Sequence, residues 1–308
     1  MKTQSIQEFQ NQGEGVNFSE LMESEHRLVN SMSLEDENLR NKEAEGWDRN
    51  SIVGNVGFDI FSTDYVDGFN IKRKFMIVNN SGSELDSYNF WNSIWESGCK
   101  VIVRFDETSK KCHWLNNFRN DAYAVGEFII RKKTIPCKYF TQLEMTIENI
   151  MERKSRKVTH FQYHGCLDNI ASVSCTQLIF FLKMVNKQQS SYLTTGTEGT
   201  GSTCGPIVIH NIGCLERAVS FCVLDFCLDQ LIETNSVSVP SVILNIKSQV
   251  SFESISLDEY SFINKTLLRS ICVLNLKDNK STDSDPESAS SISRIKKYGL
   301  FFKRASVP

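Results

Sequence analysis

The stretch Gly205-Pro206-Ile207-Val208-Ile209-His210-Asn211-Ile212-Gly213-Cys214-Leu215-Glu216-Arg217-Ala218 decides the fold. Its β-branched apolar run predicts a buried strand over 206–210. Gly213 permits a tight loop, and the apolar run that follows predicts a helix over 217–231. A strand, a tight loop and a helix in that order aim backbone N–H groups and the positive end of the helix dipole at an anion. Arg217 opens that helix and adds a fixed positive charge to it.

Working outward, helical spacing of Leu21, Met22, His26, Leu28 and Val29 predicts a helix over 18–42. Short β-prone runs follow at 58–61 and 73–78, broken by a turn at Asp67-Gly68. A helix over 84–97 carries Tyr88, Trp91, Ile94 and Trp95 and leads through Gly98, a C-cap, into a strand over 100–104. β-prone segments at 127–132, 142–149 and 158–163 read as an antiparallel meander inside a mixed sheet. A helix over 174–187 and a Gly/Thr/Ser-rich loop over 194–205 complete the approach to the opening stretch. The pattern is that of an α/β domain, a central twisted mixed sheet flanked by helices, occupying residues 1–275. Residues 276–308 read as a separate tail. Its Ser-rich part, 277–291, cannot bury enough apolar surface to order itself, and its end, Arg294 to Arg304, is basic and aromatic together.

At 308 residues and 40% hydrophobic content the chain has enough apolar material for one large core. Its 34 basic and 37 acidic residues leave a net charge of −3, so no global positive field holds a polyanion, and a nucleic-acid partner is not expected. The amino terminus lacks the apolar segment of a secretory signal, and the run 219–232 is interrupted by Asp225 and Asp229. The expectation is a chain neither secreted nor membrane-spanning. Ten cysteines are dispersed, several in apolar runs (Cys222, Cys227, Cys272), which predicts reduced, buried thiols in an intracellular protein. The five histidines are scattered and no CxxC pair occurs, so neither a structural metal nor a cofactor is expected.

The opening stretch resembles the signature of protein-tyrosine phosphatases, in which a buried strand ends in His-Cys, five residues loop round a phosphate, and an arginine opens the next helix. Further landmarks stand in the family's order. Asp59-Ile60-Phe61-Ser62-Thr63-Asp64-Tyr65-Val66-Asp67-Gly68-Phe69 resembles its DYINANYVDGF run, and Phe90-Trp91 through Trp95-Glu96 with Val101-Ile102-Val103 resembles its FWxxxWE helix and following strand. Val158-Thr159-His160-Phe161-Gln162-Tyr163 followed by Asp168 resembles its VTHFQYxxWPD strand and acid loop. The resemblance spans residues 39–268 and implies the protein-tyrosine-phosphatase fold. The single-domain, residue-losing character is similar to the phosphatase-like families carried by bracoviruses of parasitoid wasps. That similarity implies an intracellular role, in the cytoplasm of an insect host cell, in altering host signalling.

The family pattern implies a role for each position. Asn211 stands where the attacking cysteine belongs, and an amide has no nucleophilic form; losing the nucleophile of a concerted site costs about 10^6-fold in turnover. Cys214 falls mid-loop and out of line for attack. Cys214 and Glu216 take places the family gives to glycine. Glu216 either faces an incoming phosphate, repelling it by roughly 3 kcal/mol per unit charge at ~5 Å, or points outward. Asp168 matches the general acid, but Cys166 and Leu167 replace the Trp-Pro that packs its loop. Ala218 replaces the hydroxyl residue that assists the leaving thiolate. Arg40, Asn41 and Glu43 mark the remnant of the substrate cleft, with Asn41 in place of its tyrosine. Ile255 and Glu259 replace two glutamines that position water. Arg217, with Gly213, is the remaining phosphate-binding candidate; alternatively Arg217 pairs with Glu216 or another carboxylate.

These losses imply a catalytically inactive protein that binds host signalling or adhesion proteins. Two rivals remain: a phosphotyrosine trap held by Arg217, and a residual phosphatase using Cys214. The tail from Arg294 to Arg304 adds a candidate for peripheral membrane contact.

Overall fold

A computed structural model of the chain describes residues 3–43, 61–79, 84–105, 118, 119, 121–164, 174–195, 204–211, 215–250, 252 and 254–274. Ten strands and seven helices occur among them. The strands are β1 (Gln4–Ser5), β2 (Ser62–Gly68), β3 (Ile71–Asn79), β4 (Val101–Phe105), β5 (Ala122–Val125), β6 (Phe128–Pro136), β7 (Phe140–Asn149), β8 (Lys154–Tyr163), β9 (Ile207–Asn211) and β10 (Ser236–Val237). The helices are α1 (Ile6–Glu14), α2 (Phe18–Glu43), α3 (Glu84–Glu96), α4 (Cys175–Thr195), α5 (Leu215–Thr234), α6 (Val239–Lys247) and α7 (Leu257–Leu274). Eight strands form one mixed sheet in the order β2-β3-β9-β4-β8-β7-β6-β5. Its centre, β3-β9-β4-β8, is parallel and its flanks are antiparallel. The expected α/β architecture with a mixed central sheet and an antiparallel meander is present.

Strand β9 is apolar because it is covered on both faces, as buried parallel strands are. Ile207 and Ile209 join Phe75, Ile77, Val101 and Val103 beneath the helices α4 and α5. Val208 turns the other way and joins Met76, Val78 and Ile102 against Phe90, Trp91, Ile94 and Trp95 of α3. Helix α5 is buried almost all round from Arg217 to Leu228, which is why its sequence shows no polar stripe. A deep polar contact ties it to the sheet. Lys74 of β3 donates to Asp225 at 2.5 Å and Asp229 at 2.9 Å, and Asn186 of α4 donates to the other oxygen of Asp225 at 2.6 Å. Burial pulls the Lys74 ammonium down, but the two carboxylates outweigh it and hold it charged.

Several local expectations needed correction. The run at 58–61 was expected as a strand, but Phe61 precedes β2, which starts at Ser62; 58–60 lie outside the described residues. The reversal after β2 falls at Phe69-Asn70, with Asn70 at φ 60°, while Gly68 stays in the ladder opposite Ile71. Asp67 prevents an earlier turn by stapling the two strands: its carboxylate accepts from Lys72 Nζ at 2.6 Å and from the Arg73 N–H at 2.8 Å. Gly68 serves close packing, since a Cβ there would lie 2.4 Å from Lys74 Cδ. Helix α4 runs beyond residue 187 to Thr195 because tertiary contacts hold its polar end: Gln189 donates to the Gly205 carbonyl at 2.8 Å, and Tyr192 bonds Thr159 at 2.9 Å. Cys222 and Cys227 are buried free thiols as expected, but Cys272 is exposed, because α7 turns the adjacent Ile271 into the core. The loop at 196–203 and the tail from 275 lie outside the described residues. No described helix is long and apolar enough to cross a membrane.

Candidate functional site

The carboxyl end of β9 and the amino end of α5 meet where the sequence placed the anion cradle. Asn211 closes β9 opposite Asn79, directly after His210, and α5 begins at Leu215. The start of β9 is fixed by Gly205, whose backbone lies so close to α3's exit that a Cβ would come within 2.1 Å of the Ser97 carbonyl. Gly98 at φ 70° is the left-handed residue that ends α3 there. Beneath the mouth, His210 is fully buried against the Phe90 ring at a centroid distance of 4.4 Å. Burial first, then the charge of Arg104 and neighbouring His160, hold its imidazole well below the usual histidine range, so it is neutral.

Arg217 sits in the first turn of α5 and points at the first turn of α7. Its Nε lies 2.9 Å from Glu259 Oε1, with side-chain exposures of 11% and 3%. Arg217 therefore forms an ion pair with a carboxylate, as one of its two readings expected, and that carboxylate is Glu259. Burial pushes the Glu259 carboxyl up to about 7, against the charge of Arg217 and a hydrogen bond with Ser220, with Glu216 and Asp258 adding repulsion.

The local sequence explains how Glu259 comes to reach across. Ser256-Leu257-Asp258-Glu259 has the S-x-x-E pattern of a capping box, in which the serine caps the helix and the glutamate turns back to the serine N–H. Half of the box is formed: Ser256 Oγ accepts from the Glu259 N–H at 3.2 Å. The other half is taken by α5, since the Ser256 N–H donates to the Glu216 carboxylate. Glu216 thus points neither at a phosphate nor freely to solvent; it latches the α7 cap onto α5. Ile255, just before, is buried, and its carbonyl accepts from Asn30 Nδ2 at 3.1 Å with His26 Nε2 at 2.7 Å. Helix α2 therefore clamps from one side the segment that α5 holds from the other.

The structure brings together Glu216, Arg217, Ala218, Ile255 and Glu259. Ala218 is buried in the core. Arg40, Asn41 and Glu43 fall in the last turn of α2, within a helix rather than a cleft loop, and their side chains lie outside the described residues. Gly213, Cys214, Cys166, Leu167 and Asp168 also lie outside them, as does the side chain of Asn211. Among the described residues, no group of three or more acidic, histidine or cysteine side chains is arranged to hold a metal. The Ser256–Glu259 cap was the missed signal: that S-x-x-E pattern announces α7 and puts Glu259 at its third position.

Comparison with known proteins agrees with this architecture. The family model described as protein-tyrosine phosphatase matches residues 40–269. The chain is similar to tyrosine phosphatase-like protein N3 of Microplitis demolitor bracovirus (isolate Webb), 42% identical over 94% of this chain and 93% of that protein. It is also similar to probable tyrosine phosphatase protein N1 of the same virus, 24% identical over 79% of this chain and 81% of that one. Human tyrosine-protein phosphatase non-receptor type 9 is 29% identical over 70% of this chain, which spans 37% of the human protein. With the sheet order, the β9–α5 cradle and these matches in hand, the chain belongs to the protein-tyrosine phosphatase family, as a member of its bracovirus type.

Proposed function

We propose that the protein is a catalytically inactive phosphatase-like binding protein that interferes with signalling, adhesion or phagocytosis in a host cell. The observation that carries this reading is Asn211, which follows buried His210 at the end of β9 and precedes Arg217 by six positions, where the family needs a thiolate. An amide cannot accept a phosphoryl group, so the covalent route is closed. The pairing of Arg217 with Glu259 supports the same reading by occupying the guanidinium from within.

Hydrolysis of a phosphotyrosine peptide by the full chain is expected to match the buffer rate. A rate that vanishes in Cys214→Ser would overturn the proposal in favour of a residual phosphatase. The occupied Arg217 also argues against a standing phosphotyrosine trap near neutral pH. Peptide binding tighter than about 10 μM, a free energy near −7 kcal/mol, and lost in Arg217→Ala would reinstate the trap.

The partners are host signalling or adhesion proteins and the location is the host cytoplasm, with peripheral membrane contact through Arg294 to Arg304. Fluorescence imaging of the full chain and of a variant lacking residues 291–308 in insect haemocytes tests both. An exclusively nuclear or extracellular signal contradicts the location, and an unchanged membrane fraction after deletion contradicts the role of the tail.

A further inference from the structure

We infer that the tip of the β7–β8 hairpin is a lipid contact: Ile150 and Met151 enter the headgroup layer of an anionic membrane while Arg153, Lys154 and Lys157 face its phosphates. This contact is separate from the proposed one at Arg294 to Arg304 and stands without it.

The tip holds its apolar side chains outward by construction. Met151 is 79% exposed and Ile150 48%. Single exposed apolar residues are normal, but these two are adjacent and sit on a braced turn. The buried Asn149 side chain accepts from the Met151 and Glu152 N–H groups, both at 3.0 Å. The Ile150 N–H donates to the Glu127 carbonyl in the turn between β5 and β6 at 3.0 Å, and Arg153 completes the reversal at φ 54°. Behind the tip, Arg156 donates to the Trp95 carbonyl at 2.8 Å and lies over the Trp95 ring at 4.5 Å, which fixes the base of the hairpin to α3. Held this way, the two side chains cannot fold back onto the sheet.

The charge around the tip suits an anionic surface. Residues 153–157 read Arg-Lys-Ser-Arg-Lys, and Arg153, Lys154 and Lys157 are exposed. The carboxylates nearby are engaged. Glu148 pairs with Arg131 at 2.8 Å, Glu127 accepts from the Tyr88 hydroxyl at 3.4 Å, and Glu152 accepts from Trp95 Nε1 at 2.7 Å and Lys154 Nζ at 3.1 Å. Residues 121–164 carry eight basic and five acidic side chains in a chain whose net charge is −3, so the positive surplus is concentrated on this half of the sheet.

Shape points to lipid as the occupant. A stable protein interface needs roughly 1,000 Å² of matched surface, which a convex pair of side chains does not supply. A membrane needs no matching shape: apolar side chains partition into the acyl boundary, and each cation beside anionic lipid adds about fivefold to binding. The topology also leaves room for a membrane. Strands β8 and β9 both run parallel to β4, with Thr159 and Ile207 level with Val101. Lys154 lies before that level and Asn211 after it, about 30 Å apart along the strands. A membrane at the tip therefore leaves the Asn211 mouth on the aqueous side.

Vesicles of equal parts phosphatidylcholine and phosphatidylserine are the probe, with phosphatidylcholine alone as control. The full chain and a variant lacking residues 291–308 are tested together; the described fold ends at Leu274, so that deletion leaves it whole. The shortened chain is expected to sediment with anionic vesicles and not with neutral ones. In it, M151Q is expected to lower partitioning about tenfold, and R153Q combined with K157Q about 25-fold. M151W is expected to give tryptophan emission that brominated acyl chains quench beyond the wild-type level. A shortened chain that ignores anionic vesicles, equal sedimentation with neutral ones, or variants that partition like their parent overturn the inference. Should M151Q fail to fold, R153Q with K157Q decides alone. Self-association without lipid that M151Q abolishes assigns the tip to a second copy and also overturns it. If only the full chain binds, the contact at Arg294 to Arg304 stands and the hairpin contact falls; if both bind equally, the reverse holds.

Discussion

Gly205 shows how tightly single residues are held beside the site. An added methyl group would meet the Ser97 carbonyl at 2.1 Å and the Cys99 nitrogen at 2.7 Å, both backbone atoms. Gly205→Ala is expected to lower stability by about 3 kcal/mol, the upper end of overpacking costs. Urea unfolding measures this, and a loss below about 1 kcal/mol would show that α3's exit yields. At this scale the place of Asn211 at the end of β9, directly after His210, was legible, because a short contiguous apolar run announces its own strand. The pairing of Arg217 with Glu259 was not: the two lie on different helices, and which carboxylate would reach the guanidinium depended on Glu216 already holding the Ser256 N–H.

Between strands and helices, the polar knot of Lys74, Asp225, Asp229 and Asn186 fixes how α5 lies on the sheet. Removing one partner from a buried ion cluster leaves uncompensated charge, so Lys74→Met is expected to cost about 3–5 kcal/mol. Chemical denaturation tests it, and a variant as stable as wild type would mean that water or a rearranged side chain takes the place of the ammonium. The long elements were legible from periodicity: α2, α3, β4 and the core of β6 to β9 fall near their expected places. Others were not. Helix α1 opens with Ser5 capping Glu8 at 3.3 Å and Glu8 accepting from the Ser5 N–H at 2.9 Å, and α7 opens at Ser256, so an S-x-x-E pattern marked both where apolar spacing alone said little. Helix α6 is short and almost wholly apolar, with Val239, Val242, Ile243 and Ile246 buried, a run that periodicity cannot tell from a strand.

Taken over the whole molecule, buried titratable groups pull stability in opposite directions with pH. His160 is lowered to about 3 by burial first and by Arg104 second, and His210 is also lowered, against an ordinary 6.5. Both stay neutral in the fold while the unfolded chain gains protons, so their contribution is present above about pH 6.5 and lost as pH falls below it. Glu259 at about 7 and the partly exposed Asp229 at about 6 are raised by burial, so the fold keeps protons that the unfolded chain releases, and their contribution is lost as pH rises. The two sets oppose each other between about pH 4.5 and 6.5, and E259Q removes one opposing proton. Its unfolding free energy is expected to climb with pH by about 1.4 kcal/mol per unit more steeply than that of wild type. Parallel urea-derived profiles at about pH 5 and pH 6 would contradict the assignment. The buried layers on both faces of β9 carry a further consequence. Their members do not include Glu216 or Ser256, so most of the apolar packing that holds the polypeptide together is supplied away from the mouth. A gene for such a scaffold tolerates substitutions at the mouth without losing folded product. Duplicated copies are then free to diverge in what they grip long before they diverge in shape.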